Sequence, residues 1–530
     1  MPSDTPEIPR GSLSGFKAYF KQDILSGFLV FLIALPLCLG ISLASGYPAV
    51  AGIFTAIVGG LVATFLSNSE LTIKGPAAGM IVIALGCVQE FGFTGGVDPA
   101  KDFEAYRLAL GVGVVAGVFQ IIMGLFRAGI LVKLCPAPAI HGLLASIGII
   151  IISKQFPILM GLNPQGSPLA LLAGIPSFVI NMNPKVGLIG ILGVTIVLGY
   201  GFIKNPKLKV IPAPMMMLLI IVPMAIFMGI GVDGSYTFNN QIYDLGQKFL
   251  VNVPANLLNA VTFPDFSGIT TETGIKYTVL FAIIGSLESI LSAKAIEAID
   301  PWNRKTNLDR DLLATGLANT LAAFIGGLPM ISEIVRSKAN IDNGAKTRFA
   351  NFYHGMFLLL CVSLIPGVIN QIPMAALAAL LVITGYRLAS PQEFIHIYHE
   401  GKDQFIIFVS TIFGVLATDL LKGLAIGIGV KIIIQLIRGG SLFRLHAKIL
   451  LERDLSITIF LRGSIVFSSW TSLQKQLERY LEKGKRVTVD ITETRLVDRR
   501  VLSKIDEWKE KFKENGLELS VRTRKKSVDE

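Results

Sequence analysis

Apolar runs recur from Ile24 to Ile437, each sized to cross or nearly cross a bilayer and parted by short polar loops. A spanning helix needs about 20 mostly apolar residues, because lipid offers no partner to a bare N–H or C=O. Twelve runs fit: Ile24–Ser45, Ala49–Phe65, Leu108–Phe126, Leu131–Ile152, Val186–Ile203, Val210–Ile230, Tyr277–Ile296, Leu312–Ile325, Phe352–Ile369, Met374–Tyr386, Phe405–Leu421 and Gly423–Ile437. They predict an α-helical polytopic membrane protein. Charge supports the reading: 16% of the 530 residues are charged, against about 25% in soluble domains. The charges also crowd toward the end. Residues 441–530 hold 20 Lys/Arg and 14 Asp/Glu, so 34 of the chain's 85 charged residues (48 + 37). The expected division is therefore a polar segment at 1–22, a transmembrane domain at 23–440 and a soluble domain at 441–530.

The net charge of +11 is accounted for by basic loops on one membrane face and a basic tail, so no nucleic-acid partner is expected. Arg10, Lys17 and Lys21 precede the first run; Lys204, Lys207 and Lys209, then Arg304, Lys305 and Arg310, then Lys346 and Arg348 fill later loops. The loops Glu90–Arg107 and Val232–Gly274 are acidic or mixed. This asymmetry predicts the plasma (inner) membrane with both termini cytoplasmic. The polar, Pro-containing start does not read as a cleaved signal peptide. Cys38, Cys87, Cys135 and Cys361 lie in or beside apolar runs without ligand spacing and read as core residues.

Two further segments are too short and interrupted to be ordinary spans. Leu71–Val88 is broken by Lys74-Gly75-Pro76, and Pro329–Ile341 carries Glu333, Arg336 and Lys338. Twelve plus two makes fourteen, divisible as seven and seven. Pro36 precedes Pro76 by 40 residues, and Glu288 precedes Pro329 by 41. Paired short segments at matched offsets point to a repeat and to a transporter's binding site. Seven being odd, the repeats are expected to be inverted in the membrane.

In that geometry the short segments are half-helices whose N-termini meet near the midplane. A helix N-terminus offers unpaired N–H groups and about half a positive charge, a ready anion site. The first is expected to begin at Gly75-Pro76 and run on through Ala77-Ala78. The second is expected to begin at Pro329, with Ser332, Glu333, Ile334 and Arg336 in its opening turns and with a Glu333–Arg336 pair within reach. Glu288 lies mid-way along Tyr277–Ile296, where an ionisable group costs roughly 3 kcal/mol. Ser286, Ser289 and Ser292 flank it. Glu288 is expected to hold H+ or, with hydroxyls such as that of Ser292, to bind Na+ as a coupling ion; Glu333 is a second candidate. Lys294 is the alternative neutralising partner.

The tail reads as α/β: strands at Ser456–Phe460, Ser464–Phe467, Val487–Ile491 and Leu517–Val521, helices at Ser472–Lys483 and Arg500–Glu514.

The run Phe28–Gly60 with Ala34-Leu35-Pro36, then Gly75-Pro76, Glu288 in Gly-Ser-Leu-Glu-Ser-Ile-Leu-Ser-Ala-Lys, and Gly326-Gly327-Leu328-Pro329 through Arg336-Ser337 together resemble the SulP (sulfate permease) family, with a C-terminal STAS domain. The resemblance implies a 7+7 inverted repeat with core and gate domains, an elevator-like motion and a homodimer. It places the acidic position of the eighth helix on Glu288 and a Na+-coordinating hydroxyl on Ser292. It places the anion-facing helix starts on Gly75-Pro76-Ala77-Ala78 and on Ser332-Glu333-Ile334, with Arg336 as the basic residue. Glu333 and Ile334 depart from the small or hydroxyl residues of many relatives. Where a STAS domain often carries Asp-Ser-Ser-Gly, this chain reads Asp498-Arg499-Arg500-Val501, so a phosphorylation switch is not expected; a docking surface for a cytoplasmic partner is.

The expected function is secondary active transport of a small inorganic anion, bicarbonate or sulfate, coupled to H+ or Na+ and needing no other cofactor. A nucleobase-type carrier of the same fold, using Glu288 and Glu333, and a passive anion channel or exchanger are the alternatives. No nucleophile–base group, zinc spacing or nucleotide loop suggests an enzyme.

Overall fold

A computed structural model describes residues 8–127, 136–203, 205, 210–437, 445–453, 456–465, 470–492, 494–497 and 499–522. Cys135, Lys204, Lys207, Lys209, Asp498 and the tail beyond Arg522 lie outside the described residues.

Each predicted run contains a helix. In chain order the main ones are α1 (Phe20–Ala44), α2 (Ala51–Leu66), α3 (Ala78–Glu90), α4 (Pro99–Leu125), α5 (Ala137–Leu159), α6 (Pro184–Phe202) and α7 (Ala213–Phe227). Then follow α8 (Glu272–Ile299), α9 (Leu308–Phe324), α10 (Ile334–Asp342), α11 (Phe349–Leu364), α12 (Met374–Leu388), α13 (Lys402–Ala417) and α14 (Leu420–Ile437). Among the described residues, seven of the helical stretches are long and apolar enough to cross a membrane. Local chemistry sets the starts. Asp98 caps α4 by accepting from the N–H of Ala100, with Pro99 as the first helical residue; Asn183 and Thr271 cap α6 and α8 in the same way. The Glu90–Arg107 loop is thus shorter than expected, since α4 already begins at Pro99.

The chain folds as two compact units. One holds residues 1–132 and 144–390; the other holds 133–143 and 391–530. In the first, a large core joins α1, α2, α6, α7, α11 and α12 through Leu39, Ile53, Ile189, Ile221, Leu358 and Leu377. Apolar side chains such as Phe119, Ile191, Phe227 and Leu364 point outward, as lipid-facing positions do.

The two interrupted segments do not open as helices. Ile73–Pro76 is a short strand, β1, and Met330–Glu333 another, β4. They pair antiparallel, with Lys74 opposite Ser332 and Gly75 opposite Ile331. Between them in the chain lies a hairpin, β2 (Gly234–Phe238) and β3 (Gln241–Leu245). Gly75-Pro76 and Pro329–Ser332 therefore precede their helices rather than starting them, because the strand pairing satisfies backbone groups that a buried chain cannot leave bare. Gly326, at φ +97°, makes the turn into β4 in a conformation that suits glycine.

The C-terminal α/β part has a five-stranded sheet: β5 (Leu445–Arg453), β6 (Ser456–Ile465), β7 (Arg486–Asp490), β8 (Thr494–Val497) and β9 (Leu519–Arg522). The order is β5-β6-β7-β9, with β8 on β6. Helices α15 (Trp470–Glu482) and α16 (Arg499–Glu514) accompany it. Leu473, Leu477, Val501, Ile505 and Phe512 pack with Ile459 and Val489 into one core. The strands expected at Ser456–Phe460 and Ser464–Phe467 fall on one strand, β6, as far as Ile465, with Val466 and Phe467 outside the described residues; the antiparallel partner β5 was not expected.

Candidate anion and cation site at the strand crossing

Around β1 and β4 the polar groups are matched side chain by side chain. Asn319 of α9 accepts from the N–H of Met330 at 2.6 Å and donates to its carbonyl at 3.1 Å. Thr55 of α2 donates to Leu328 O at 2.8 Å. The N–H of Ile73 donates to Ser337 Oγ at 2.8 Å, and the N–H of Lys74 to Asn351 Oδ1 at 3.1 Å. These bonds fix where α3 and α10 begin.

Beneath the crossing lies an ion pair that sequence reasoning missed. Lys74 Nζ donates to Asp311 Oδ1 and Oδ2 at 2.8 and 2.7 Å, and to Ser332 Oγ at 2.5 Å. Lys74 and Asp311 are 1% and 2% exposed, so the bond forms where a lone charge is costly. Ser67 Oγ donates to Asp311 at 2.5 Å. Ser332, expected to face the anion, has its hydroxyl against Lys74, Asp311 and Ser289, and its N–H donates to Ser289 Oγ at 3.2 Å.

Glu288 of α8 is in the opposite condition. It is buried, and neither carboxylate oxygen has a hydrogen-bond partner among the described residues. It lies against the first turn of α3: a Cβ placed on Gly79 would come within 2.6 Å of Glu288 Cδ. Only glycine leaves room there for the carboxylate. Of its three expected hydroxyl neighbours, Ser286 donates to Ala282 O and Ser289 serves Ser332. Ser292 is buried and one helical turn along the same face. Lys294 is exposed and gives Glu288 no hydrogen bond.

Arg336 is buried at 1% exposure. It reaches back across the crossing, donating from Nη2 to Pro76 O at 2.7 Å, with Nη1 3.6 Å from Cys38 Sγ. A Cβ on Gly75 would come within 2.5 Å of Nη1, so Gly75 admits the guanidinium. The Glu333–Arg336 ion pair that helical spacing put within reach does not form, because the guanidinium is turned toward Pro76. Glu333 precedes α10 in an extended conformation, and its Oε1 is buried without a partner. Ala77 is buried and extended, and Ala78 opens α3. Ile334 is 46% exposed. Among the described residues no cluster of three His, Cys, Asp or Glu is placed to hold a metal ion.

The crossing thus gathers two helix starts, two buried cations, a bare carboxylate and two further acids. Residues 20–411 match the sulfate permease family. The chain belongs to this family. YvdB of Bacillus subtilis (strain 168) is 24% identical over 492 residues, 89% of this chain and 86% of that protein. Bicarbonate transporter BicA of Picosynechococcus sp. is 24% identical over 422 residues, 79% of this chain and 70% of that protein. The solved transmembrane domain of a cyanobacterial BicA shares the fold with a TM-score of 0.63 at 22% identity, covering 78% of this chain and 98% of that one. Murine Solute Carrier 26 family member A9, an anion transporter in the inward-facing state, gives a TM-score of 0.68 at 15% identity, covering 95% of this chain and 86% of that one. Family membership makes the chain a membrane transporter of the anion-carrying class rather than an enzyme.

Proposed function

We propose that this permease carries bicarbonate together with one cation, H+ or Na+, held at Glu288, by elevator-like alternating access. The supporting observation is the pair of bare, buried oxygens of Glu288 beside Gly79. An ionised Glu288 would hold the positive end of α3 against any incoming anion. A cation on Glu288 removes that competitor, so the anion and the cation favour each other.

A charge count favours bicarbonate over sulfate. Lys74 and Asp311 cancel each other, and Arg336 offsets Glu333. With Glu288 neutralised, the two helix starts at Ala77-Ala78 and Ser332–Ile334 offer about half a charge each, roughly +1 in all. A monovalent anion balances that; sulfate leaves one negative charge over, unless Glu333 is protonated too. Ser292 is the hydroxyl best placed to join Glu288 around Na+, and Gly75 and Pro76 line the approach with Arg336 behind them.

Fourteen spans in two inverted sevens, cytoplasmic termini, a STAS-type domain at 441–530 and a homodimer complete the proposal; the five-stranded sheet with its two helices supports the STAS reading. The test is uptake into proteoliposomes of labelled bicarbonate, sulfate and uracil, each with an imposed Na+ or proton gradient. The expected result is concentrative bicarbonate uptake driven by one of the two gradients. Uracil uptake, or bicarbonate flux indifferent to both gradients, overturns the reading.

A further inference from the structure

One cavity, of about 530 Å³, does not touch Glu288 or the strand crossing. It lies at the far end of α3, lined by Leu85 and Gln89, by α1 at Gly40 and Leu43, and by the first turn of α12 at Met374 and Ala375. Leu85 is seven residues from Ala78, so the cavity begins about 10 Å along α3 from the crossing.

The charged residues of its lining are Lys154 and Lys248, and both are cationic. Lys154 is half-buried and donates to Gly166 O at 2.9 Å, which uses one of its three donors. Lys248 shares its charge with exposed Asp244 at 3.2 Å, so Lys154 carries the larger share. Gln155, Asn163 and Gln165 add amide groups. The acids nearby are engaged elsewhere. Glu90 binds Lys276 at 2.6 Å and accepts from Tyr277 at 2.9 Å. Asp102 accepts from the N–H groups of Thr94 and Gly96.

The two helix ends at the cavity differ. The carbonyls at the end of α3 are spent on Phe91, Gly92 and Phe93 N–H groups. The start of α12 has no side-chain cap, and the N–H of Ala376 in its first turn donates to Pro373 O. A cavity whose charged lining residues are all cationic raises the local concentration of anions.

We propose that this cavity is an antechamber for small inorganic anions, in which Lys154 draws the anion toward the crossing. It rests on the anion-transport reading and adds a site outside the crossing. Its loops, at 89–95 and 248–249, lie on the face proposed as extracytoplasmic.

The test reads the local potential directly. Asn163→Cys is introduced, and its modification by an anionic and by a cationic methanethiosulfonate reagent is measured as the increment over the parent chain. The ratio of anionic to cationic rates should fall about threefold or more with Lys154→Gln and further with Lys248→Gln added. It should stay with Lys154→Arg, and with Lys101→Gln on the same face outside the cavity. In uptake, Lys154→Gln should raise KM for external anion more than it lowers the maximal rate, and weaken the dependence on ionic strength. An unchanged reagent ratio, or an unchanged KM, overturns the proposal. The labelling arm is independent of which anion is carried and of its coupling, so failure of the bicarbonate reading leaves that result standing.

Discussion

Lys74→Met leaves Asp311 buried at 2% exposure with its countercharge gone. Removing one partner of a buried ion pair costs about 3–5 kcal/mol, because the remaining charge keeps its desolvation penalty without the attraction that offset it. Asp311 retains Ser67 and Ser332 as donors, which places the loss toward the lower end. At roughly 2 °C per kcal/mol, the small end of the range for large domains, the melting temperature should drop by about 6 °C. Replacing both partners by apolar residues of similar volume, Lys74→Met with Asp311→Leu, should recover most of this, since an apolar pair carries no such penalty. The assay is thermal loss of the monodisperse peak in detergent, with wild type, both single variants and the double variant side by side. A double variant no better than Lys74→Met, or a Lys74→Met variant as stable as wild type, refutes the argument that the pair's charges hold the crossing together.

Gly79→Ala should cut uptake about tenfold or more, because the methyl group takes the space of the Glu288 carboxylate and disturbs a site tuned to fractions of an ångström; Gly199→Ala, which meets nothing within 4 Å, should leave uptake unchanged. Arg336→Met should abolish anion uptake and also destabilise the fold by about 1–3 kcal/mol through the unpaired Pro76 carbonyl, read as a lower melting temperature beside lost transport. Asn319→Leu should cost a similar amount, about 1–3 kcal/mol, since the N–H of Met330 loses its partner inside the protein.

The spans were legible because runs such as Ile24–Ser45 and Tyr277–Ile296 satisfy a length rule set by the bilayer itself. Glu288 was legible as a charge in the wrong solvent, and the matched offsets of Pro76 and Pro329 pointed to the crossing. The strands at the crossing were not. Ile73-Lys74-Gly75-Pro76 is four residues long and half Gly and Pro, the types depleted in strands; what makes it a strand is β4, some 250 residues away. The Lys74–Asp311 bond was hidden for the same reason, its partners being 237 positions apart. A signal existed: Lys74 interrupts an apolar segment and Asp311 sits at the edge of another, and two opposite charges in lipid-buried segments invite pairing. The failed Glu333–Arg336 pair shows the limit of helical spacing. Glu333 stands before the helix, so the three-residue separation no longer brings the two side chains together.

Charge movement during bicarbonate uptake tests the coupling role of Glu288 most directly. In proteoliposomes of wild-type protein, one cation should enter with each bicarbonate, so uptake should be insensitive to membrane voltage and should concentrate the anion on the driving ion gradient. Glu288→Gln, permanently neutral, should still equilibrate bicarbonate but neither concentrate it nor remain voltage-insensitive. A Glu288→Gln protein that still accumulates bicarbonate against its gradient contradicts the account.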